Sequence, residues 1–259
     1  MNTTATPRIE RGATYLVVPI REEKAKFVFP PIGPGSYDIA VKEVLARGLK
    51  LPTGEQTAFL LNEVYNSNAP QFKDSSEAEF VRKNIIKDGC LRVPNINIWT
   101  PKRVENPGLY VVHDENGKGL SEKIDTNVLE DRLSGGSTER QGVRFSRDRK
   151  VAFAPLNTIT AGSHIKGALA QDGAYIANYG VEGAVRLDKV DARFALNPYS
   201  FVVDNTENDQ IQSLSALDRY WLDSVGLGAD FISNGADGYG FVFGLAGSDL
   251  SAEGTAPKK

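Results

Sequence analysis

Apolar positions along the chain fall into short blocks whose period switches between strand-like and helix-like. Residues 14–20 (TYLVVPI) are β-branched and aromatic and predict a strand, with Pro19 confining it to an edge or an end. A second apolar run, 24–30, stops at the breaker cluster Pro30-Pro31-Ile32-Gly33-Pro34-Gly35. Ser36 is then placed to cap a helix in which Tyr37, Val41, Val44, Leu45 and Leu49 recur at helical spacing.

Two sharper helix starts follow. Thr53 and Gln56 have capping-box spacing ahead of Leu60, Leu61, Val64 and Tyr65; Ser76 and Glu79 repeat it ahead of Val81, Ile85 and Ile86, and Gly89 ends the pattern. Leu91, Val93, Ile96, Ile98 and Trp99 then form an apolar run interrupted by Pro94. Residues 108–112 (GLYVV) predict a strand closed by the turn-prone Asp114-Glu115-Asn116-Gly117. A short helix is expected over 125–133, and a hairpin over 143–145 and 151–153.

In the last third the predicted elements alternate: helices at 163–170, 182–194 and 210–221, strands at 174–178, 199–203 and 239–243. Ile211, Leu214, Leu217 and Trp221 would share one side of the last of these helices. A doubly wound sheet wants near-continuous apolar strands and longer crossover helices. The expected class is therefore α+β, a mixed or antiparallel sheet with several short helices. The chain reads as one globular unit over 1–259, with a flexible loop at 134–141 (SGGSTERQ) and frayed ends at 1–12 and 248–259; a division into two units would fall at the same loop.

Composition changes this picture only by exclusion. Hydrophobic residues make up 41 % and charged residues 24 %, so a packed core is affordable and disorder is not expected. A formal net charge of −3 argues against a nucleic-acid or acidic-membrane binder. No apolar run approaches the roughly 18 residues of a membrane helix. One cysteine, Cys90, rules out an internal disulfide framework, and the polar, Thr-rich start offers no secretory signal; the expected location is cytoplasmic.

Candidate chemistry is sparse. His113, beside Asp114 at the end of a predicted strand, has the residue types for a general base with a carboxylate. His164 sits at a predicted helix start, where exposed amides favour an anion. Cys90 reads as a buried, inert thiol rather than a nucleophile. One Cys and two His have no zinc spacing, and no metal or cofactor is expected. Gly33-Pro34-Gly35 lacks the backbone donors of a phosphate loop, and Gly226-Leu227-Gly228 lacks its third glycine. Arg144, Arg147, Arg149 and Lys150, with Arg140 nearby, would gather at the tip of the 143–153 hairpin as a patch for phosphates or a partner's carboxylates.

With no nucleophile elbow, metal cluster or cofactor signature, the sequence favours a non-enzymatic role in binding a protein or ligand, with a protein partner or a homo-oligomer as the expected association. The alternative is a hydrolase or transferase whose His113 or His164 meets carboxylates only in space.

Overall fold

The computed structural model describes residues 8–10, 14–202, 210–218 and 227–247. Strands β1 (Arg8–Glu10), β2 (Tyr15–Ile20) and β3 (Glu23–Val28) form a small antiparallel sheet. Residues 8–10, expected within a frayed lead-in, thus pair with Tyr15–Val17. Among the described residues Pro19 is paired only towards β3, opposite Lys24.

Next come β4 (Ile32–Gly35), α1 (Tyr37–Ala46) and α2 (Gly54–Asn66). Ser36 precedes α1 without a side-chain cap. Thr53 forms both halves of the capping box: its Oγ accepts from Gln56 N at 3.2 Å, and Gln56 Oε1 accepts from Thr53 N at 2.8 Å. Helices α3 (Pro70–Lys73) and α4 (Ser76–Phe80) lead into a π-helical segment, Val81–Lys87. Here the cap is Ser75, not Ser76: Ser75 Oγ accepts from Ala78 N at 3.0 Å, while Ser76 donates to Glu77.

Strand β5 (Cys90–Thr100) is the spine of a large mixed sheet and is buried along its whole length. Its pleat serves two cores. Leu91, Val93 and Trp99 join the core under α2, whereas Ile96 and Ile98 join the core under α1. β6 (Gly108–His113) pairs with β5. Then come α5 (Thr126–Leu133), capped by Asp125, β7 (Ser137–Thr138), β8 (Arg144–Phe145) and β9 (Val151–Pro155). The expected hairpin is β8–β9, and part of the expected loop 134–141 is β7, paired to β8.

The last third departs most from expectation. Residues 162–163 are strand β10, so the expected helix over 163–170 is absent apart from a single 3-10 turn, Leu169–Gln171. The expected strand at 174–178 and most of the helix at 182–194 are one long helix, α6 (Gly173–Asp191), broken at Gly180 (φ 70°, ψ 165°). Every residue from Ala174 to Tyr179 is buried, so no polar face marks the helical period. β11 (Tyr199–Phe201) precedes β12 (Ile211–Asp218), a strand where a helix over 210–221 was expected; positions 203 and 219–221, with Trp221, lie outside the described residues. The pleat of β12 explains the false period: Leu214 and Leu217, an odd number of positions apart, face opposite sides of the sheet, Leu214 entering the core under α1 and Leu217 the core under α2. β13 (Gly228–Ser233) and β14 (Gly240–Val242) complete the sheet.

The sheet order is β10-β11-β13-β12-β5-β6-β9-β8-β7, with β14 parallel to β5 and β4 beyond it. Helices α2 and α6 pack on one face, α1 and α5 on the other. The architecture is α+β, with a mixed, mainly antiparallel sheet and several short helices. Among the described residues no helix is long and apolar enough to cross a membrane.

Candidate functional site

A cavity of about 450 Å³ lies where the first turn of α2, the break in α6 and the strands β5, β6 and β9 meet. Three sequence features build it. Gly54 lets α2 start against α6, since a Cβ there would lie 1.9 Å from the Asn178 carbonyl oxygen. Gly180 then turns the chain with positive φ, which leaves room for Glu55: a Cβ at Gly180 would lie 3.2 Å from Glu55 Oε1. Pro94 sits where β5 bulges against β12, between the partners Val93 and Ile96. Lacking an N–H, it contributes its carbonyl, which accepts from Asp114 N at 2.9 Å and meets His113 Nδ1 at 3.0 Å.

The wall is apolar on one side and polar on the other. Leu45, Leu49, Leu51, Val111, Ala152 and Leu245 supply the apolar part. Asn95 and Asn178, 3 % and 4 % exposed, form the polar floor: Asn95 Nδ2 donates to the Asn178 carbonyl at 2.9 Å and to its Oδ1 at 3.2 Å. Behind them a buried column runs into the core. Ser215 Oγ donates to Asn178 Oδ1 at 2.6 Å, and Asn97 Nδ2 donates to Ser215 Oγ at 2.8 Å. Such a column holds one arrangement because breaking any link leaves a buried polar group unpaired.

Glu55 is the cavity's half-buried carboxylate. Arg21, on the β2–β3 turn, donates from Nη2 to Glu55 Oε1 at 2.8 Å and lies 3.6 Å from Glu182 Oε2. Burial raises the Glu55 carboxyl above the usual range, against the pull of Arg21 and Arg149 and with the help of Glu182 and Glu139.

His113 lines this cavity. Pro94 O is only an acceptor, so Nδ1 carries the proton and Nε2 is left as the lone-pair nitrogen. Burial holds His113 below the usual histidine range. Asp114 does not serve it: its carboxylate takes Tyr37 OH, Lys118 N and Gly119 N, each at 2.8 Å. The His113–Asp114 dyad is therefore not formed, because the turn after β6 consumes the carboxylate.

His164 lies elsewhere, buried at the N-terminal side of α6. Its Nε2 is 2.7 Å from Ser200 Oγ, which is 3.2 Å from Tyr175 OH. Asp172 caps α6 nearby, accepting from Ala174 N at 2.8 Å, Tyr175 N at 3.2 Å and Thr160 N at 2.7 Å. Burial keeps His164 low and Asp172 high. Residue types of a nucleophilic relay meet here, but His164, Ser200, Tyr175 and Asp172 are all at most 4 % exposed. His164 opens no helix; it follows β10.

The basic residues do not converge. Arg144 is bidentate to Glu130 on α5, at 2.8 and 2.9 Å, and covers the Phe153 ring. Arg147 donates to Gly135 O at 2.6 Å, and Arg140 to Ala170 O at 3.1 Å. Arg149 pairs with Glu139 at 2.6 Å and Lys150 with Glu115 at 2.5 Å; these last two line the cavity. Cys90 is buried, and burial pushes its thiol up to about 12.

Glu55, Asn95, Asn178 and Gly180 went unread in the sequence. Asn95 and Asn97 carried a signal, two amides two apart inside an apolar strand run; Glu55 and Gly180 carried none that composition or period would reveal. Among the described residues no three His, Cys, Asp or Glu side chains are grouped to hold a metal ion.

No protein-family model and no curated protein matches the sequence. A solved structure from Nanoarchaeota, described as accommodating massive sequence variation by the C-type lectin fold, is similar in backbone with a TM-score of 0.54 and 15 % identity. The match covers 88 % of this chain and 100 % of the other. The α+β architecture of this chain thus matches a C-type lectin-like fold, and at that identity the likeness is one of fold alone.

Proposed function

We propose that the chain is a cytoplasmic, non-enzymatic binding protein whose ligand is a small amphipathic molecule held in the cavity beside Asn95, His113 and Glu55. The observation that carries this reading is the cavity itself: about 450 Å³, apolar on one side, with convergent polar groups fixed from behind by a buried column. The Nanoarchaeota protein supports it, because a fold that accommodates massive sequence variation keeps its frame while its surface is retuned, which suits recognition. A buried thiol at Cys90, the chain's one cysteine, suits a reducing compartment.

Ligand-observed NMR against a panel of small amphipathic compounds tests the reading. Binders are expected to lose contact when the cavity is filled by Ala177→Phe or, at its rim, Leu49→Trp. A panel with no binder, or binders indifferent to both fillings, overturns it.

A further inference from the structure

We infer that the cavity takes a primary organic ammonium ion, with Glu55 as its counter-ion and Asn95 and His113 as its further acceptors. This rests on the cavity being the binding site and names the chemistry of what binds.

Three acceptors on this one wall have no donor among the described residues. Asn95 is 3 % exposed and spends its N–H groups on Asn178, so its Oδ1 is an unpaired acceptor at the cavity floor. Glu55 gives Oε1 to Arg21 and keeps Oε2 free. His113 commits Nδ1–H to Pro94 and leaves Nε2 as a lone pair. None of the three is sealed from solvent, so each is available to a ligand that supplies N–H groups. A primary ammonium has three N–H donors and no acceptor, and so fits this set.

Among the carboxylates that line the cavity, Glu115 is paired with Lys150 and Asp148 with Arg132, whereas Glu55 has only Arg21, which it shares with Glu182. Glu55 is thus the lining carboxylate with capacity for a further cation. An alcohol supplies one N–H-like donor and no charge; a carboxylate would meet lone pairs and a carboxylate. The apolar side, Leu45, Leu49, Leu51 and Val111, accommodates a hydrocarbon or aryl tail.

The test uses benzylammonium, with benzyl alcohol and benzoate as shape controls, titrated into the full chain by NMR or calorimetry. Benzylammonium should bind at least about tenfold more tightly than either control, an advantage expected of a partly desolvated charge pair. Glu55→Gln should erase that advantage. Arg21→Gln, an exposed change that frees Glu55 Oε1, should tighten benzylammonium about threefold, the scale of an exposed ion pair. Equal binding of the three compounds, lost in Ala177→Phe, overturns the ammonium assignment and leaves the cavity reading standing. Tighter binding of benzoate, an unchanged Glu55→Gln, or no binding of any of the three overturns the assignment.

Discussion

Around His164, the imidazole, Ser200, Tyr175 and Asp172 bond to one another and to backbone inside the fold. Around His113, the polar groups are just as ordered from behind, yet Glu55 Oε2 and Asn95 Oδ1 end at open space. Residue type does not separate the two clusters; the first even holds the more suggestive trio. Access separates them. A satisfied, buried relay stabilises and orders a fold, whereas an ordered but unsatisfied wall has binding free energy left to give.

The strongest way to break this comparison is to damage the closed cluster. Asp172→Ala removes the acceptor of three backbone N–H groups, two of them buried, and the cap of α6, and should cost about 4 kcal/mol in denaturant unfolding. Whatever folded protein remains should bind cavity ligands as before. A loss of binding per folded molecule would mean that the clusters are coupled. Ser200→Ala strands His164 Nε2 and Tyr175 OH and should cost about 2 kcal/mol, again without touching binding.

Thr53→Ala sharpens the comparison from the other side. It breaks the capping box at the cavity's edge, and a loss of about 1 kcal/mol in stability should come with weaker ligand binding. Acidification gives the smallest effect. Burial keeps both histidines below their ordinary value of 6.5, so the unfolded chain takes up their protons first and stability falls as pH drops through that value. Protein carrying His113→Gln should show a shallower fall between about pH 7 and 5.5 in thermal melts than wild type. An identical slope would mean that His113 titrates alike in both states. Reading the difference between the two proteins cancels the buried aspartates, whose raised values act in the opposite sense at lower pH.

Most of the first half was legible. The α2 capping box, β2, β3, β6, α5 and the β8–β9 hairpin follow from turn residues, caps and alternation, which are local physics. Apart from the exposed stretch after β10, the larger misreadings fall where both faces of an element are buried. Ala174 to Tyr179 shows no polar face because α6 is enclosed, and Leu214 and Leu217 mimic helical spacing because the two sides of β12 each face an apolar core. Periodicity reports the contrast between a wet face and a dry one, and it fails when both faces are dry.

Sequence alone determined the α+β class, the helix starts at Thr53 and Asp125, and the inert character of Cys90, because caps, breakers and one isolated thiol act over a few residues. Tertiary structure decided the site. Glu55, Asn95, His113 and Asn178 come from four elements, and only the close approach of α2 to α6 at Gly54, the turn at Gly180 and the bulge at Pro94 put them around one cavity. It also decided that Asp114 belongs to a turn and Arg144 to Glu130, since a side chain's partner is set by what folds against it and not by its neighbours along the chain.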